Sequence, residues 1–189
     1  MMQVSRRNFF GLTGVALVLA ACESSISGNG VGSNNAAKID ARVAATRSYL
    51  FDRYPGTRDL AARAAGVLYM PLVTEAGFGV GGGYGRGALQ LNGVTVDYYS
   101  ATRATIGFQI GAQQYAHALF FMTADALENF RRSSGWAAGA DVRYATPEQG
   151  GSLGTETTAL DPVIGLVFGQ QGLIAGATLA GVKYTRIIP

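Results

Sequence analysis

Glycine occupies every second position from residue 77 to residue 87, and this spacing constrains the fold more than any other feature of the chain. Side chains alternate between the two faces of an extended strand, so the spacing predicts a strand with one bare face. Such a face lets a packed helix, a ring or an acyl chain approach the backbone closely. Tight internal packing is the interpretation that we favour. The glycines concerned are Gly77, Gly79, Gly81, Gly83, Gly85 and Gly87.

The same run also satisfies the glycine spacing of dinucleotide-binding loops, at Gly77, Gly79 and Gly82. That motif requires the glycines to turn a strand into a helix whose N-terminus faces the pyrophosphate. Here the following residues, from Gly83 to Tyr99, alternate as a strand does, and no Lys-Ser or Lys-Thr pair completes a phosphate-binding loop. We therefore expect no nucleotide and no other cofactor.

The remaining elements predict an α+β fold in a single domain. Its many short, mostly antiparallel strands would form a barrel-like or strongly curved sheet, with helices at the N-terminus and one helix in mid-chain. Asn92-Gly93 predicts a hairpin turn, and Thr57 and Thr123 predict helix N-caps. The predicted helices are 36–54, 57–65 and 123–132, and 88–99 is predicted as a hairpin. The predicted strands or strand-like segments are 67–70, 103–111, 114–122, 135–144 and 163–188, with a polar loop at 145–158.

Residues 1–21 have the layout of an export signal: Arg6 and Arg7 precede an uncharged stretch of 13 residues, Phe9 to Ala21. That stretch is shorter than the roughly 20 residues of a membrane-spanning helix. The segment from Ser5 to Phe9 resembles the twin-arginine export signal, with ordinary unfolded export as the alternative.

Leu19-Ala20-Ala21-Cys22 resembles the bacterial lipobox, so we expect Cys22 to be lipid-modified and to begin the mature protein. The alternative is a plain cleavable signal followed by a cysteine. Residues 22–35 predict a flexible tether and residues 36–189 the folded domain. A periplasm-facing, membrane-anchored lipoprotein is expected, and Glu23, in place of the Asp associated with inner-membrane retention, favours the outer membrane.

The predicted first helix combines an apolar stripe with a row of basic residues. Ile39, Val43, Leu50 and Tyr54 fall on a stripe roughly 60° wide at about 100° per residue. The stripe indicates either a helix packed on a sheet with a solvated basic rim, or a helix lying against anionic head groups. The candidate lipid-binding residues are Lys38, Arg42 and Arg53 on one margin and Arg47 on the other.

No enzymatic machinery is predicted. His117 is the only histidine and Cys22 the only cysteine, so zinc lacks ligands and no intrachain disulfide can form. A serine nucleophile elbow of the Gly-x-Ser-x-Gly type is also missing from the sequence. Once Arg6 and Arg7 leave with the signal, 13 basic residues face 12 acidic ones, and global charge does not favour nucleic acid. We therefore expect no catalytic residues, no metal and no nucleic-acid partner.

Four blocks in order resemble the SYLF domain, also called the Ysc-type or actin-regulator domain. They are the glycine block followed by Ala88-Leu89, then 107–111 (GFQIG), Ala126-Leu127 with Phe130, and 172–181 (GLIAGATLAG). The resemblance implies lipid binding, in eukaryotic members to phosphoinositides through a basic amphipathic segment. Bacterial members are small exported proteins or lipoproteins, so actin binding is not expected. This sequence departs from the family at 96–99 and at Ala180.

These observations predict an envelope lipoprotein whose SYLF-like domain binds acidic phospholipid or phosphoinositide-like head groups. Charged residues make up only 14% of the chain, which leaves apolar surface for lipid or protein. The alternative is a non-catalytic structural or interaction module that binds another envelope protein.

Overall fold

Two helices precede the sheet and a third follows its longest strands. A computed structural model describes residues 33–139, 142–145, 161–172 and 179–189, and these residues lie in one compact unit. The predicted signal and Cys22 lie outside the described residues, and so does nearly all of the predicted loop at 145–158. Helix α1 spans Ser33–Arg53, α2 spans Gly56–Arg63 and α3 spans Ala124–Arg132. No helix in the described ranges has the length and apolar character needed to cross a membrane.

Six strands form a strongly curved sheet, which confirms the predicted α+β class. Strand β2 is central: β1 pairs along one edge, while β5 and β6 pair with opposite ends of the other edge. β3 pairs with β6, and β4 pairs in parallel with β5. The strands are β1 Gly66–Leu91, β2 Val94–Phe121, β3 Trp136–Ala137, β4 Val142–Ala145, β5 Val163–Gly172 and β6 Lys183–Ile187.

Strands β1 and β2 are far longer than predicted, at 26 and 28 residues. Asn92 (φ 51°) and Gly93 (φ 80°) make the predicted turn between them, with the positive φ values that tight hairpins require. The segments 67–70, 88–99, 103–111 and 114–122, which were predicted separately, are therefore parts of one long hairpin. The glycines and polar residues between those runs mark irregularities inside the strands, such as the bulge between Phe78 and Val80.

The long hairpin bends so that the glycine-rich half of β1 packs on the first half of the same strand. A Cβ added to Gly85 would lie 2.7 Å from the carbonyl oxygen of Leu72, and one added to Gly83 would lie 2.7 Å from Cγ of Glu75. A Cβ at Gly87 would overlap the carbonyl oxygen of Tyr69. The bare face is thus used for tight internal packing, as the favoured interpretation stated.

Both faces of the sheet are buried because the alternating side chains of β2 enter two different cores. Ala116, Ala118 and Phe120 pack with residues of α1 and α2 on one face. Tyr115, Leu119 and Phe121 pack with α3 on the other. The core on the α3 side, which we call the inner face, is rich in aromatic residues, and the ring centroids of Phe121 and Phe130 lie 4.7 Å apart.

The ends of the helices were predicted in part. Thr123 accepts a hydrogen bond from the backbone N–H of Ala126 at 3.2 Å and caps α3 as predicted. The prediction that Thr57 caps α2 is wrong, because Thr57 lies inside that helix. Its hydroxyl instead donates to the carbonyl oxygens of Tyr54 (2.7 Å) and Leu50 (3.3 Å), at the end of α1. A threonine before an apolar segment fits both roles, and only the packing of the two helices distinguishes them.

Candidate functional site

Three of the four predicted basic residues lie on one flank of α1. At about 100° per residue, Lys38, Arg42 and Arg53 fall within roughly 60° of one another, and Tyr49 lies among them. All three cationic side chains are exposed, and Tyr49 is 49% exposed. We refer to Lys38, Arg42, Tyr49 and Arg53 as the basic flank.

The apolar stripe of α1 faces the sheet. Ile39, Val43 and Leu50 are buried and pack with sheet residues such as Phe120 and Ile164. These side chains are therefore already buried against protein, and the helix matches the packed interpretation with a basic rim. Any contact of α1 with lipid must use the flank of the helix and its surroundings.

Arg47 is separated from the other three. It lies on the opposite side of the buried stripe, where its Nη1 donates to Oε1 of Gln90 at 3.0 Å and to the carbonyl oxygen of Gly93 at 3.4 Å. Arg47 thus connects α1 to the β1–β2 hairpin. The structure does not place Arg47 with the basic flank.

The two acids of α1 do not neutralise the basic flank. Asp40 accepts hydrogen bonds from the hydroxyls of Thr95 (2.9 Å) and Tyr98 (2.8 Å) on the hairpin side. Desolvation, together with the bond to Asp40, raises the pKa of Tyr98 to about 12. Asp52 pairs with Arg58 of α2 at 2.9 Å.

Among the residues that the structure describes, no acidic side chain compensates the charge of the three cations of the basic flank. Within the described ranges, Lys38, Arg42 and Arg53 form no ion pair with an acidic side chain. Arg53 lies over the ring of Tyr54, with 5.6 Å from its Cζ to the ring centroid. This contact leaves the positive charge of Arg53 without an anionic partner.

An open groove of about 320 Å³ lies beside the basic flank. One wall is α1 and the other is the sheet, where β1 bulges between Met70 and Val73 and β5 reaches Gly169. The ring of Tyr49 stacks on that of Phe168, with centroids 6.3 Å apart. The principal lining residues are Ala45, Thr46, Tyr49, Pro71, Leu72 and Phe168.

Sequence reasoning missed Tyr49 and Phe168 as parts of this surface. The helical position of Tyr49 among Lys38, Arg42 and Arg53 was a usable local signal. No local signal in the sequence indicated Phe168, because it lies 119 positions after Tyr49 and only the folding of the sheet brings it to α1.

The second half of the glycine row packs against the fold, and Gly85 and Gly87 are buried. Gly83, Gly85 and Gly87 pack against the first half of β1, and a Cβ on Gly77 would lie 2.7 Å from Cα of Gly81. Gly79 departs from the predicted row, since its φ of 72° belongs to the bulge and a Cβ there would meet no atom within 4 Å. The row is a packing surface, and its position inside the fold offers no groove for an acyl chain.

The bend of the hairpin exposes apolar side chains. Phe78 is 79% exposed and Val80 is 72% exposed, on either side of Gly79. Two exposed apolar side chains this close together form a small patch that the two cores do not use. We refer to Phe78 and Val80 as the apolar tip.

A second group of basic residues is largely paired with acidic side chains. Asp97 pairs with Arg131 at 2.9 Å and with Arg186 at 3.5 Å, and Glu128 pairs with Arg132 at 2.5 Å. A phosphate here would have to compete with carboxylates already in place. This group is therefore a weaker anion site than the basic flank.

His117 and Glu75 lie on the inner face of the sheet. His117 is fully buried with its Nε2 2.8 Å from the hydroxyl of Tyr184, and burial lowers its pKa to about 3. Glu75 accepts hydrogen bonds from Tyr115 (2.6 Å) and Gln113 (2.9 Å), and lies 3.3 Å from Arg103. No group of three or more potential metal ligands gathers within the ranges the structure describes.

One comparison with known proteins gave a match. Residues 102–186 match the family model of Ysc84, described as a Las17-binding protein actin regulator, whereas a search of curated proteins gave no match. The matched segment runs from β2 to β6 and contains three of the four motif blocks, while α1, α2 and the whole glycine row lie outside it. The resemblance drawn from the motifs is thus confirmed over residues 102–186, where the chain matches the model of the Ysc84, or SYLF, family.

Proposed function

We propose that this protein is an exported, periplasm-facing lipoprotein whose SYLF domain binds acidic phospholipid or a phosphoinositide-like head group at a membrane surface. One observation carries the proposal: Lys38, Arg42 and Arg53 carry uncompensated charge on one flank of α1, beside an apolar groove. Family membership supports the coarser assignment to a lipid-binding or interaction module. The proposal assigns the domain no catalytic role.

Cation number and position agree with a peripheral lipid contact. A Lys or Arg near an anionic membrane surface contributes about 1 kcal/mol. Three such residues supply a modest attraction that salt screens, since the Debye length is about 8 Å at physiological ionic strength. The contact would therefore select and orient, while the acyl groups on Cys22 hold the protein at the membrane.

A lipid anchor at Cys22 would keep α1 within reach of the membrane. Ser33, the first residue of α1, lies eleven positions after Cys22, and a chain of that length can extend to at most roughly 40 Å. The lipidated end and the basic flank can therefore reach the same membrane surface. We propose the outer membrane, on the basis of Glu23 beside Cys22.

The test is flotation of the chain beginning at Glu23 with neutral and anionic vesicles, at low and high salt. This chain retains the whole compact unit from Gly32 to Pro189 and lacks the apolar signal, which would itself bind vesicles. We expect salt-sensitive binding to anionic vesicles and little binding to neutral ones. Equal binding to both, or none to either, would refute the proposal.

A matched pair of variants assigns the binding to the basic flank. Arg42→Glu and Arg63→Glu make the same charge change at exposed helical positions, in α1 and α2 respectively. We expect Arg42→Glu to weaken binding to anionic vesicles about 10-fold or more and Arg63→Glu to change it little. Equal losses would indicate that net charge, and not the basic flank, governs binding.

Binding to another envelope protein is the second candidate, and the apolar tip favours it. Phe78 and Val80 expose an aromatic and a branched side chain that the fold leaves uncovered. A partner held through this tip should be lost in a Phe78→Ser/Val80→Ser variant, with little effect of salt. Cross-linking in envelope preparations, compared between this variant and the unaltered protein, tests this candidate.

A further inference from the structure

The groove beside α1 has the features of a site for one hydrocarbon chain. Its volume of about 320 Å³ lies at the lower end of the roughly 300–1,000 Å³ typical of ligand pockets. A groove of this size is suited to a hydrocarbon chain. Among the residues that the structure describes, none that lines the groove carries a charge.

The charges beside the groove define what the head of such a ligand must be. Arg42 precedes Ala45 and Thr46 by three and four positions, so its Cβ lies about 5–6 Å from theirs on the groove side. Lys38 precedes Arg42 by one turn on the same flank. A hydrocarbon chain in the groove would therefore have two cations beside one end, which complements a phosphate.

We propose that this groove accepts a single acyl chain of an anionic lipid while Lys38 and Arg42 hold its phosphate. The inference rests on the proposed function, and it adds that the lipid is recognised through one chain as well as through its head group. The inference concerns one chain of the lipid, and any second chain would remain in the bilayer.

The groove also explains a side chain that otherwise has no role at the surface. Tyr49 is half exposed, yet it stacks on Phe168 and forms part of the wall of the groove. Tyr49 follows Arg42 by about two turns of α1, so its ring would lie along the hydrocarbon chain and not at the phosphate.

The test uses the chain beginning at Glu23 and three soluble probes, each below any micelle-forming concentration. The probes are dodecyl phosphate, dodecyl maltoside with the same chain and a neutral head, and glycerol phosphate with no chain. We expect calorimetry to show that dodecyl phosphate binds about 10-fold more tightly than dodecyl maltoside, and that glycerol phosphate does not bind measurably. Equal binding of the two dodecyl compounds, or no binding of dodecyl phosphate, would overturn the proposal.

Two phenylalanine variants of α1 test the location of the site. Ala45 lines the groove, whereas Ala41 is exposed on the side of α1 opposite the buried stripe. We expect Ala45→Phe to weaken dodecyl phosphate binding about 10-fold and Ala41→Phe to leave it unchanged, with thermal unfolding showing that both variants fold. Equal affinities in the two variants would contradict the location.

Vesicle flotation of the same variants separates the two proposals. If dodecyl phosphate fails to bind while anionic vesicles still bind with salt sensitivity, the head-group function stands and the acyl site falls. If dodecyl phosphate binds but vesicles do not, the groove stands and the membrane-surface function falls. Light scattering completes the test, since a dimer that Ala45→Phe converts to monomer would assign the groove to a second copy of the chain and overturn the acyl site.

Discussion

The backbone at Gly87 packs directly on the carbonyl oxygen of Tyr69, so that a Cβ on Gly87 would overlap that oxygen. Both residues belong to β1, and their contact exists because the long hairpin bends back on itself. Gly87→Ala should therefore lower the free energy of unfolding by about 3 kcal/mol, since neither backbone segment can move without breaking strand pairing. A denaturant titration measures this loss.

Gly56→Ala is the control for the glycine contact. A Cβ at Gly56 meets no atom within 4 Å, so this substitution should leave stability unchanged or raise it slightly. A Gly87→Ala variant as stable as the Gly56→Ala variant would show that the bend tolerates side chains and that the close packing is not required.

Glu75 forms a buried ion pair that should contribute measurably to stability. Its side chain is 9% exposed and that of Arg103 is 17% exposed, and Tyr115 donates to the same carboxylate. Glu75→Gln removes the charge at nearly constant size, and we expect a loss of about 2 kcal/mol because Arg103 remains partly desolvated. Chemical denaturation at neutral pH provides the measurement.

The exposed pair of Glu128 and Arg132 provides the comparison for Glu75. Glu128→Gln breaks an ion pair whose side chains are 55% and 77% exposed, so it should cost less than about 0.5 kcal/mol. Similar losses in the two variants would show that burial adds nothing to the Glu75 pair.

His117 should make stability pH-dependent between pH 5 and 7. Burial lowers its pKa from the usual 6.5 to about 3, so the folded state keeps it neutral where the unfolded state takes up a proton. Stability contributed by neutral His117 is complete above pH 6.5 and is lost as the pH falls toward 3. The slope approaches about 1.4 kcal/mol per pH unit, which amounts to about 2 kcal/mol between pH 6.5 and pH 5.

The assignment to His117 is direct because the chain contains one histidine. Urea unfolding of the unaltered protein and of His117→Gln at pH 7.5 and pH 5.0 makes the comparison. The variant is expected to be less stable at pH 7.5, since it alters the contact with Tyr184, and to lose less stability on acidification. Parallel losses in both proteins would place the pH dependence elsewhere.

Arg47 and Arg42 should separate stability from lipid binding. Arg47→Ala removes the hydrogen bonds from α1 to Gln90 and Gly93, so it should lower the free energy of unfolding by about 1 kcal/mol and leave vesicle binding nearly unchanged. Arg42→Ala should weaken vesicle binding and leave the free energy of unfolding nearly unchanged. Denaturant titration and vesicle flotation of both variants test this separation. A loss of vesicle binding in Arg47→Ala alone would show that Arg47, and not Arg42, contacts the lipid.

The apolar stripe of α1 and the turn at Asn92-Gly93 were predictable because each depends on residues close together in the sequence. A helical stripe repeats over three to four positions, and a two-residue turn needs only two residues that accept positive φ. The Thr123 cap follows the same logic. The lengths of β1 and β2 were not predictable in this way, because glycines that interrupt the apolar pattern resemble strand ends.

The sequence by itself determined the α+β class, the resemblance to the SYLF family, the basic residues of α1 and the close packing of the glycine row, since these depend on composition, periodicity and motif spacing. Only the tertiary structure decided what the glycine row packs against and which basic residues stay free of partners. It also decided that Phe168 meets Tyr49, and that His117 meets Tyr184 across 67 positions. The physical reason is that these contacts arise where distant segments meet in a folded sheet, and local spacing carries no information about that meeting.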